Sequence, residues 1–410
     1  MHILMIAPEP FFEPRGTPFS QYHRIRALLD LGHTVDLVTY PFGRDVSMPG
    51  LRIVRCLRPP FITRVKIGPS YAKVPLDIAL TVTALRQSIR SRYDAVHSHE
   101  EGSAIGVMVA AMLGLPHLYD MHSSLPQQLS NFAFSRSRVL HGFFRTLERI
   151  VIRRSRVIVV ICPHLQDIVR GIDPAARTVL IENAPGAGDS PARGSGASVR
   201  EELRLTPSTP VVLYTGTFEP YQGLDLFLAA ARHVRIELPD ARFVLVGGRP
   251  DQIATVRQQA RERTIDDRTI FVGERRADEI PAFLDAADVL VSPRSSGTNT
   301  PLKIYQYLRA GRPIVATRLL THTQVLNDEV AILTKPTPDA FAAGIVRALR
   351  DVRLARRLGE QALALAETRY SYDAYLDRTR EACAALCGER RGAQGPPQAD
   401  RFVGAGVTRR

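Results

Sequence analysis

Nowhere in its 410 residues does the chain carry an Asp-x-Asp pair. Two carboxylates at that spacing are a ready clamp for a divalent cation on a diphosphate, so a diphosphate here would be neutralised by helix N-termini and basic side chains. Cysteine is scarce as well. Cys56, Cys162, Cys383 and Cys387 are too few and too scattered for a disulfide framework, which leaves them reduced. Cys383 and Cys387 share a helical face but have no paired His or Cys near them in sequence, so burial rather than metal binding is expected. Long hydrophobic runs are missing too: the longest, Ala104 to Leu115, is broken by glycines and too short to cross a bilayer comfortably. The opening MHILMIAPEP lacks the basic region, apolar run and small-residue site of a secretory signal, which makes a cytoplasmic location the expectation.

Acidic residues fall short of basic ones, 41 against 54, for a net charge of +13 and a pI near 10.0. The surplus calls for an anionic partner, and it is concentrated in residues 1–185, with 22 Lys and Arg against 14 Asp and Glu. Nucleic acid is not favoured, because zinc-finger spacing and RNP motifs are absent. An anionic membrane surface fits better. Arg52, Arg55, Arg58, Arg64, Lys66 and Lys73 alternate with Leu, Ile, Val, Phe and Tyr, as expected of a peripheral protein on the inner face of a membrane.

What the chain does have is a repeated alternation of apolar strands and helices. HILMIAP at 2–8, TVDLVTY at 34–40 and apolar runs at 95–98, 117–121, 157–162 and 178–182 are separated by helical segments, the pattern of a buried parallel sheet. Pro185 to Ser198, rich in Gly, Pro, Ala and Ser, reads as a linker. A second series follows, with strands at 211–214, 242–246, 269–272, 289–292, 314–316 and 330–333. The prediction is an α/β protein of two Rossmann-like, doubly wound domains facing across a cleft, residues 1–185 and 199–370. A helix at 371–387 and a disordered tail at 388–410 follow.

The stretch Pro293 to Thr317 is the most informative. Thr300 can cap a helix that begins at Pro301 and ends at Gly311, with Ile304 and Leu308 on a core face and Lys303, Gln306 and Tyr307 on another. Lys303 stands in the first turn, where the helix dipole disfavours a cation, and no Asp or Glu accompanies it. A phosphate held by the N–H groups after Thr298, Asn299 and Thr300 and by the Lys303 ammonium resolves that conflict. Strand ends supply further candidates: Gly16 after the first strand, Gly216 and Gln222 after VVLYT, Gly248 after FVLV, Arg275 after FVGE, and His122 after HLYDM. His122 is either a hydrogen-bond donor or proton relay for a substrate hydroxyl, or a satisfied structural histidine. His97 and His99 point the same way on one strand, but no third ligand is evident in sequence and no metal site is expected.

These residues carry a resemblance. MIAP with its Gly-containing turn, YDMH, Ile181-Glu182-Asn183, YTGTFEPYQGLDLFLAA, FVLVGG, FVGERRADEIPAFLDAADVLVSP and TPLKIYQYLRAGRPIVAT resemble a family 4 glycosyltransferase of the GT-B fold, over most of residues 1–385. The resemblance implies a nucleoside diphosphate sugar donor on the C-terminal domain and a hydroxyl acceptor, glycan or lipid-linked, on the N-terminal domain. It also implies transfer with retention, without metal or cofactor. The implied roles are diphosphate for Lys303 and the Thr298 to Thr300 loop, ribose for Gln306, sugar or acceptor for His122, and close approach for Gly16. The chain departs from the family pattern where Gln306 and Thr298 replace two carboxylates, and where Gln222 and Thr217 replace two phosphate cations. Those departures leave a sugar-nucleotide-binding protein without transfer activity, or an epimerase on the same architecture, as the alternatives.

Overall fold

The computed structural model describes residues 1–12, 16–63, 65, 70, 71, 73–127, 137–182 and 195–388. Most of the expected linker, the tail beyond Gly388, and Arg64, Lys66 and Asn183 lie outside the described residues.

Thirteen strands form two sheets among the described residues. The first contains β1 (His2–Ala7), β2 (Thr34–Thr39), β3 (Leu51–Arg55), β4 (Ala95–His99), β5 (His117–Met121), β6 (Val157–Val160) and β7 (Thr178–Leu180), in the order β3-β2-β1-β4-β5-β6-β7. The second contains β8 (Val211–Thr215), β9 (Arg242–Val246), β10 (Thr269–Gly273), β11 (Val289–Ser292), β12 (Ile314–Thr317) and β13 (Ile332–Thr334), in the order β10-β9-β8-β11-β12-β13. All pairings are parallel; Ile3 stands opposite both Val35 and Ala95, and Leu290 opposite both Leu213 and Ile314. The central strands HILMIA and VVLYT are apolar along almost their whole length because helices cover both faces of each sheet.

The helices are α1 (Gly16–Asp30), α2 (Lys73–Arg90), α3 (Ser103–Leu113), α4 (Arg138–Arg154), α5 (Pro163–Ile172), α6 (Ser195–Glu202), α7 (Leu224–Glu237), α8 (Pro250–Glu262), α9 (Ile280–Ala286), α10 (Lys303–Ala310), α11 (Leu320–Thr323), α12 (Pro338–Arg350), α13 (Val352–Arg369) and α14 (Tyr372–Cys387). None among the described residues is long and apolar enough to cross a membrane. The Ser371 hydroxyl accepts the Ala374 N–H at 3.1 Å and starts α14, which Gly388 ends in a left-handed conformation.

Helix α14 leaves the second domain and packs on α1, β6 and β7. One apolar cluster therefore runs from Val157, Val159 and Val179 of the first sheet through Ala382, Ala385 and Leu386 to Tyr305 and Tyr370 of the second domain. Buried Glu182 fastens the same junction, paired with Arg378 and, at 3.7 Å, with Arg369.

Three sequence expectations change. The stretch read as a linker already turns helical at Ser195, where α6 docks on α9 and the Gly196 N–H donates to Asp285 at 2.9 Å. Arg52 and Arg55, read as a basic membrane face, lie in edge strand β3; Arg55 bonds Asp45 and the Phe11, Tyr40 and Phe42 carbonyls, and Arg52 bonds Gln87. Lys73 is likewise engaged, 2.8 Å from Glu101, while Cys387 is exposed rather than buried.

Candidate active site

In a parallel sheet, ligands bind beyond the carboxyl ends of the strands where the strand order reverses. The reversal falls between β8 and β11 in the second sheet and between β1 and β4 in the first. Beyond β8, Gly216 has φ of 133°, and a Cβ on Gly247 would lie 2.1 Å from its carbonyl oxygen. Gly248 is similarly constrained, at φ 79° with the Phe218 ring 2.6 Å from where a Cβ would stand. Only glycine lets these two strand-end turns stack and leaves bare backbone toward the cleft.

Helix α10 begins at Lys303, not at Pro301, and Leu302 precedes it without a side-chain cap. Thr300 is buried but does not cap the helix. Lys303 is 8 % exposed, and its Nζ lies 3.8 Å from the centroid of the Tyr214 ring with no hydrogen-bond partner. It sits at the glycine turn, 3.3 Å from where a Cβ on Gly216 would be. Burial holds its pKa well below the ordinary lysine value, and the neighbouring charge that adds to the effect is another cation, Arg294. Arg294 follows β11, rests over the Tyr221 ring and donates Nη1–H to the Asn299 carbonyl at 2.9 Å; burial lowers its pKa too, and its Nε has no partner. Buried Lys303 and partly buried Arg294 thus converge at the reversal of the second sheet with donors to spare.

His122 follows β5 and reaches the same cleft. Its backbone carbonyl accepts the Asn299 Nδ2–H across the domains at 2.6 Å, and its Nε2 lies 3.2 Å from Asp120 Oδ1. Burial opposes protonation of His122, but Asp120, then Glu100 and Glu9, outweigh it and raise the pKa above the ordinary histidine value. Asp120 is itself held well below the usual carboxylate range: burial would raise it, but Arg24, His122 and His99 prevail. His97 and His99 stack with centroids 4.8 Å apart, and with Asp120 they bring three possible metal ligands within 4.8 Å of one another. Asp120 is therefore the third member that sequence did not reveal. The cation it meets is the Arg24 guanidinium, at 2.9 Å, so the cluster is already charge-compensated without a metal.

Two more carboxyls flank the reversal of the first sheet. Glu9 follows β1 and Glu100 follows β4 at φ 46°, a strained value for a non-glycine residue. Burial pushes the Glu9 carboxyl up to about 8, against His122, and the Glu100 carboxyl up to about 7, with the Ser123 hydroxyl donating to Glu100 at 2.8 Å.

The remaining candidates divide. Lys303, Gly216 and Gly248 gather at the β8 turn; Gln222 is buried beside it, its Nε2 3.5 Å from the Thr217 hydroxyl and its Oε1 without a partner. Gln306 is partly exposed on α10. Tyr307 is not free for a ligand, since its hydroxyl accepts the Thr215 N–H at 2.9 Å inside the core. Thr298 and Asn299 face the first domain: the Thr298 carbonyl accepts from Gln324, whose Oε1 accepts the His164 N–H, and Asn299 meets His122. Arg275 is not drawn into the cluster; Glu202 and Glu279 hold it at the outer strand β10. Gly16 opens α1, next to residues 13–15, which lie outside those described. Sequence reasoning counted Arg294 among the strand-end residues of the cleft without assigning it a role, and gave Arg24 none. A cation immediately after β11 was a usable signal for the first, and nothing local marked the second.

Residues 20–184 match the family model described as a glycosyl transferase 4-like domain, and residues 209–351 the one described as glycosyl transferases group 1. The protein is a glycosyltransferase of the GT-B class, with a family 4 type first domain. A sulfoquinovosyl transferase of Arabidopsis thaliana is 24% identical over 321 residues, 77% of this chain, and the match spans only 59% of that relative's length. A D-inositol 3-phosphate glycosyltransferase of Acidothermus cellulolyticus is 26% identical over 85% of this chain and 80% of its own. Among solved structures, a sucrose-phosphate synthase from Thermosynechococcus elongatus superposes with a TM-score of 0.78 at 20% identity, covering 95% of this chain and all of its own. An Anabaena protein in complex with UDP-glucose does so with a TM-score of 0.72 at 16% identity, over 94% of this chain and all of its own.

Proposed function

We propose that the chain transfers a sugar from a nucleoside diphosphate sugar to a hydroxyl acceptor with retention of configuration and without a metal. The observation that carries this reading is the unused donors of buried Lys303, at the bare backbone of Gly216, and of partly buried Arg294. A diphosphate fits that chemistry, and the Anabaena structure of the same fold holds UDP-glucose. In the proposed step the acceptor oxygen bonds to the anomeric carbon from the face that the diphosphate leaves. The bond from that carbon to the phosphate oxygen breaks, and the acceptor proton passes to the departing phosphate. Lys303 and Arg294 meet the charge that develops there, and positioning supplies the rest. Gln306 is assigned to ribose, and protonated His122 to a sugar or acceptor hydroxyl.

The acceptor is assigned to the β1–β4 reversal, where Glu9 and Glu100, held partly protonated, can both donate to and accept from hydroxyls. Relatives whose names specify inositol phosphate or 2-deoxystreptamine acceptors are hydroxyl-rich examples. Peripheral membrane attachment is assigned to the exposed apolar residues Leu57, Phe61, Tyr71 and Val74 and to exposed Arg58 of the same segment.

The test is nucleotide release from a panel of UDP-, GDP- and ADP-sugars, with and without a membrane-lipid extract and small polyols. Acceptor-stimulated release with the α-anomer preserved in the product is expected from an α-linked donor; an inverted product, or donor binding without release, overturns the reading.

A further inference from the structure

Arg24 is nearly fully buried on α1, and its guanidinium makes three contacts. Nε–H donates to Asp120 Oδ2 at 2.9 Å, Nη1–H donates to the Thr379 hydroxyl at 3.3 Å, and the group lies over the Tyr375 ring, 4.9 Å from its centroid. Thr379 and Tyr375 belong to α14, and the Thr379 hydroxyl is oriented by donating to the Tyr375 carbonyl at 2.8 Å. The other Asp120 oxygen faces His122 Nε2 at 3.2 Å, and the His122 carbonyl is the one bonded by Asn299. A single guanidinium thus stands between α14, the last helix among the described residues, and the histidine in the cleft. A buried ion pair of this kind is a poor source of net stability, because desolvation of both ions offsets their attraction. Orientation is what its geometry supplies: a planar fork fixes the carboxylate plane, and the carboxylate fixes the imidazole.

We propose that Arg24 is a positioning residue: seated by Thr379 and Tyr375 of α14, it sets the Asp120 carboxylate and through it the orientation and proton of His122. The link makes docking of α14 on the first domain a condition for a correctly held His122. The groups around it are His97 and His99 from β4, Glu9 and Glu100 from the strand ends, and Tyr375 and Cys383 from α14, all of which Arg24, Asp120 or His122 feels electrostatically. The catalytic consequence rests on the reading of His122 given above; the coupling itself does not.

The test therefore observes His122 directly, by long-range proton–nitrogen NMR on the full chain with labelled histidine, assigned with His122→Gln. Removing the guanidinium in Arg24→Met takes a cation from beside Asp120, so the His122 midpoint should rise by about one unit or more and its two ring-nitrogen shifts should change. Arg24→Lys, which keeps the charge, should return most of the midpoint. Thr379→Val, which keeps Arg24 and its seat on Tyr375 but removes its hydrogen bond to α14, should alter the ring-nitrogen shifts with a smaller change in midpoint. With the donor turned over in the panel, kcat should fall in Arg24→Met and Thr379→Val while the donor KM holds. A His122 spectrum and titration like wild type in Arg24→Met, alongside a lower melting temperature, would reduce Arg24 to a structural ion pair and overturn the proposal. Should Arg24→Met not fold, an unchanged His122 spectrum in Thr379→Val overturns it equally. Altered His122 shifts without any loss of turnover, in these variants and in His122→Gln alike, would leave the coupling standing and remove the functional role of His122.

Discussion

The Lys303 amino group lies over the face of Tyr214, 3.8 Å from the ring centroid, at the foot of a helix that has no acidic residue in its first turn. An aromatic face offers a cation only part of what water or a phosphate offers. The side chain is held out of water, beside a second cation, in a conformation that suits a ligand better than it suits the free protein.

Lys303→Ala removes one charge-assisted contact worth roughly 1.5 to 3 kcal/mol, so donor affinity should fall about ten- to a hundredfold. The same change should leave thermal stability equal or higher, since it relieves both burial and the conflict with the helix dipole. Calorimetric titration with the best nucleotide and a thermal melt check both; wild-type affinity in the variant removes the phosphate assignment.

Donor binding should take up protons. Lys303 has a folded-state pKa well below its ordinary value, so between that lowered value and about 10.4 the unfolded chain binds a proton that the free folded protein does not. Stability from this group therefore rises with pH across that window. A diphosphate beside Lys303 draws the proton back, and donor affinity should fall as pH rises through the lowered pKa. Binding enthalpies measured in buffers of different ionisation heat should report proton uptake on donor binding, and less of it in Lys303→Met.

Gln306→Glu examines the ribose assignment. A carboxylate hydrogen-bonds hydroxyls about twice as strongly as an amide, so donor affinity should hold or improve. Weakened binding would instead place position 306 against phosphate, where like charges repel.

Asn299→Ala deletes the hydrogen bond that joins the donor loop to the His122 carbonyl. Loss of about 1 kcal/mol should lower kcat/KM several-fold and loosen the closed arrangement. Small-angle scattering should show less compaction on donor addition than in wild type; identical profiles with unchanged kinetics would count against a closing role for Asn299.

Anionic vesicles should bind the protein in a salt-sensitive way through the rim at Leu57 and Phe61. Neutralising Arg58 should cost about 1 kcal/mol, and Phe61→Ser should weaken binding further at high salt. Co-sedimentation decides, and its failure with wild-type protein removes the membrane assignment.

The sheets were legible because central strands such as HILMIA and VVLYT, covered on both faces, need unbroken apolar runs that no other arrangement favours. Strand β3 was not, since two of its five residues are arginines on a sheet edge and they read as a charged surface. Helix α6 was hidden by a Gly- and Ser-rich start, and its reason for forming is tertiary, the docking of Gly196 against α9. Lys303 could be found because its conflict with the dipole is local. Tyr307 could not be placed, because its partner, Thr215, is 92 residues away. The network around His122 was half visible: Asp120 and His122 are near neighbours in sequence, while Arg24 stands 96 residues from Asp120 and 355 from Thr379.

Helix α14 gives the molecule a second covalent passage between its domains, since the chain leaves the first domain after Glu182 and returns to it after Ser371. Two bodies joined by one strand of chain can swivel in any direction, whereas two passages define a line. Relative motion is then confined chiefly to rotation about that line, as with a door hung on two hinges. On that path the loops carrying Asn299 and Gln324 are expected to return to His122 and His164 in the same register each time the cleft closes.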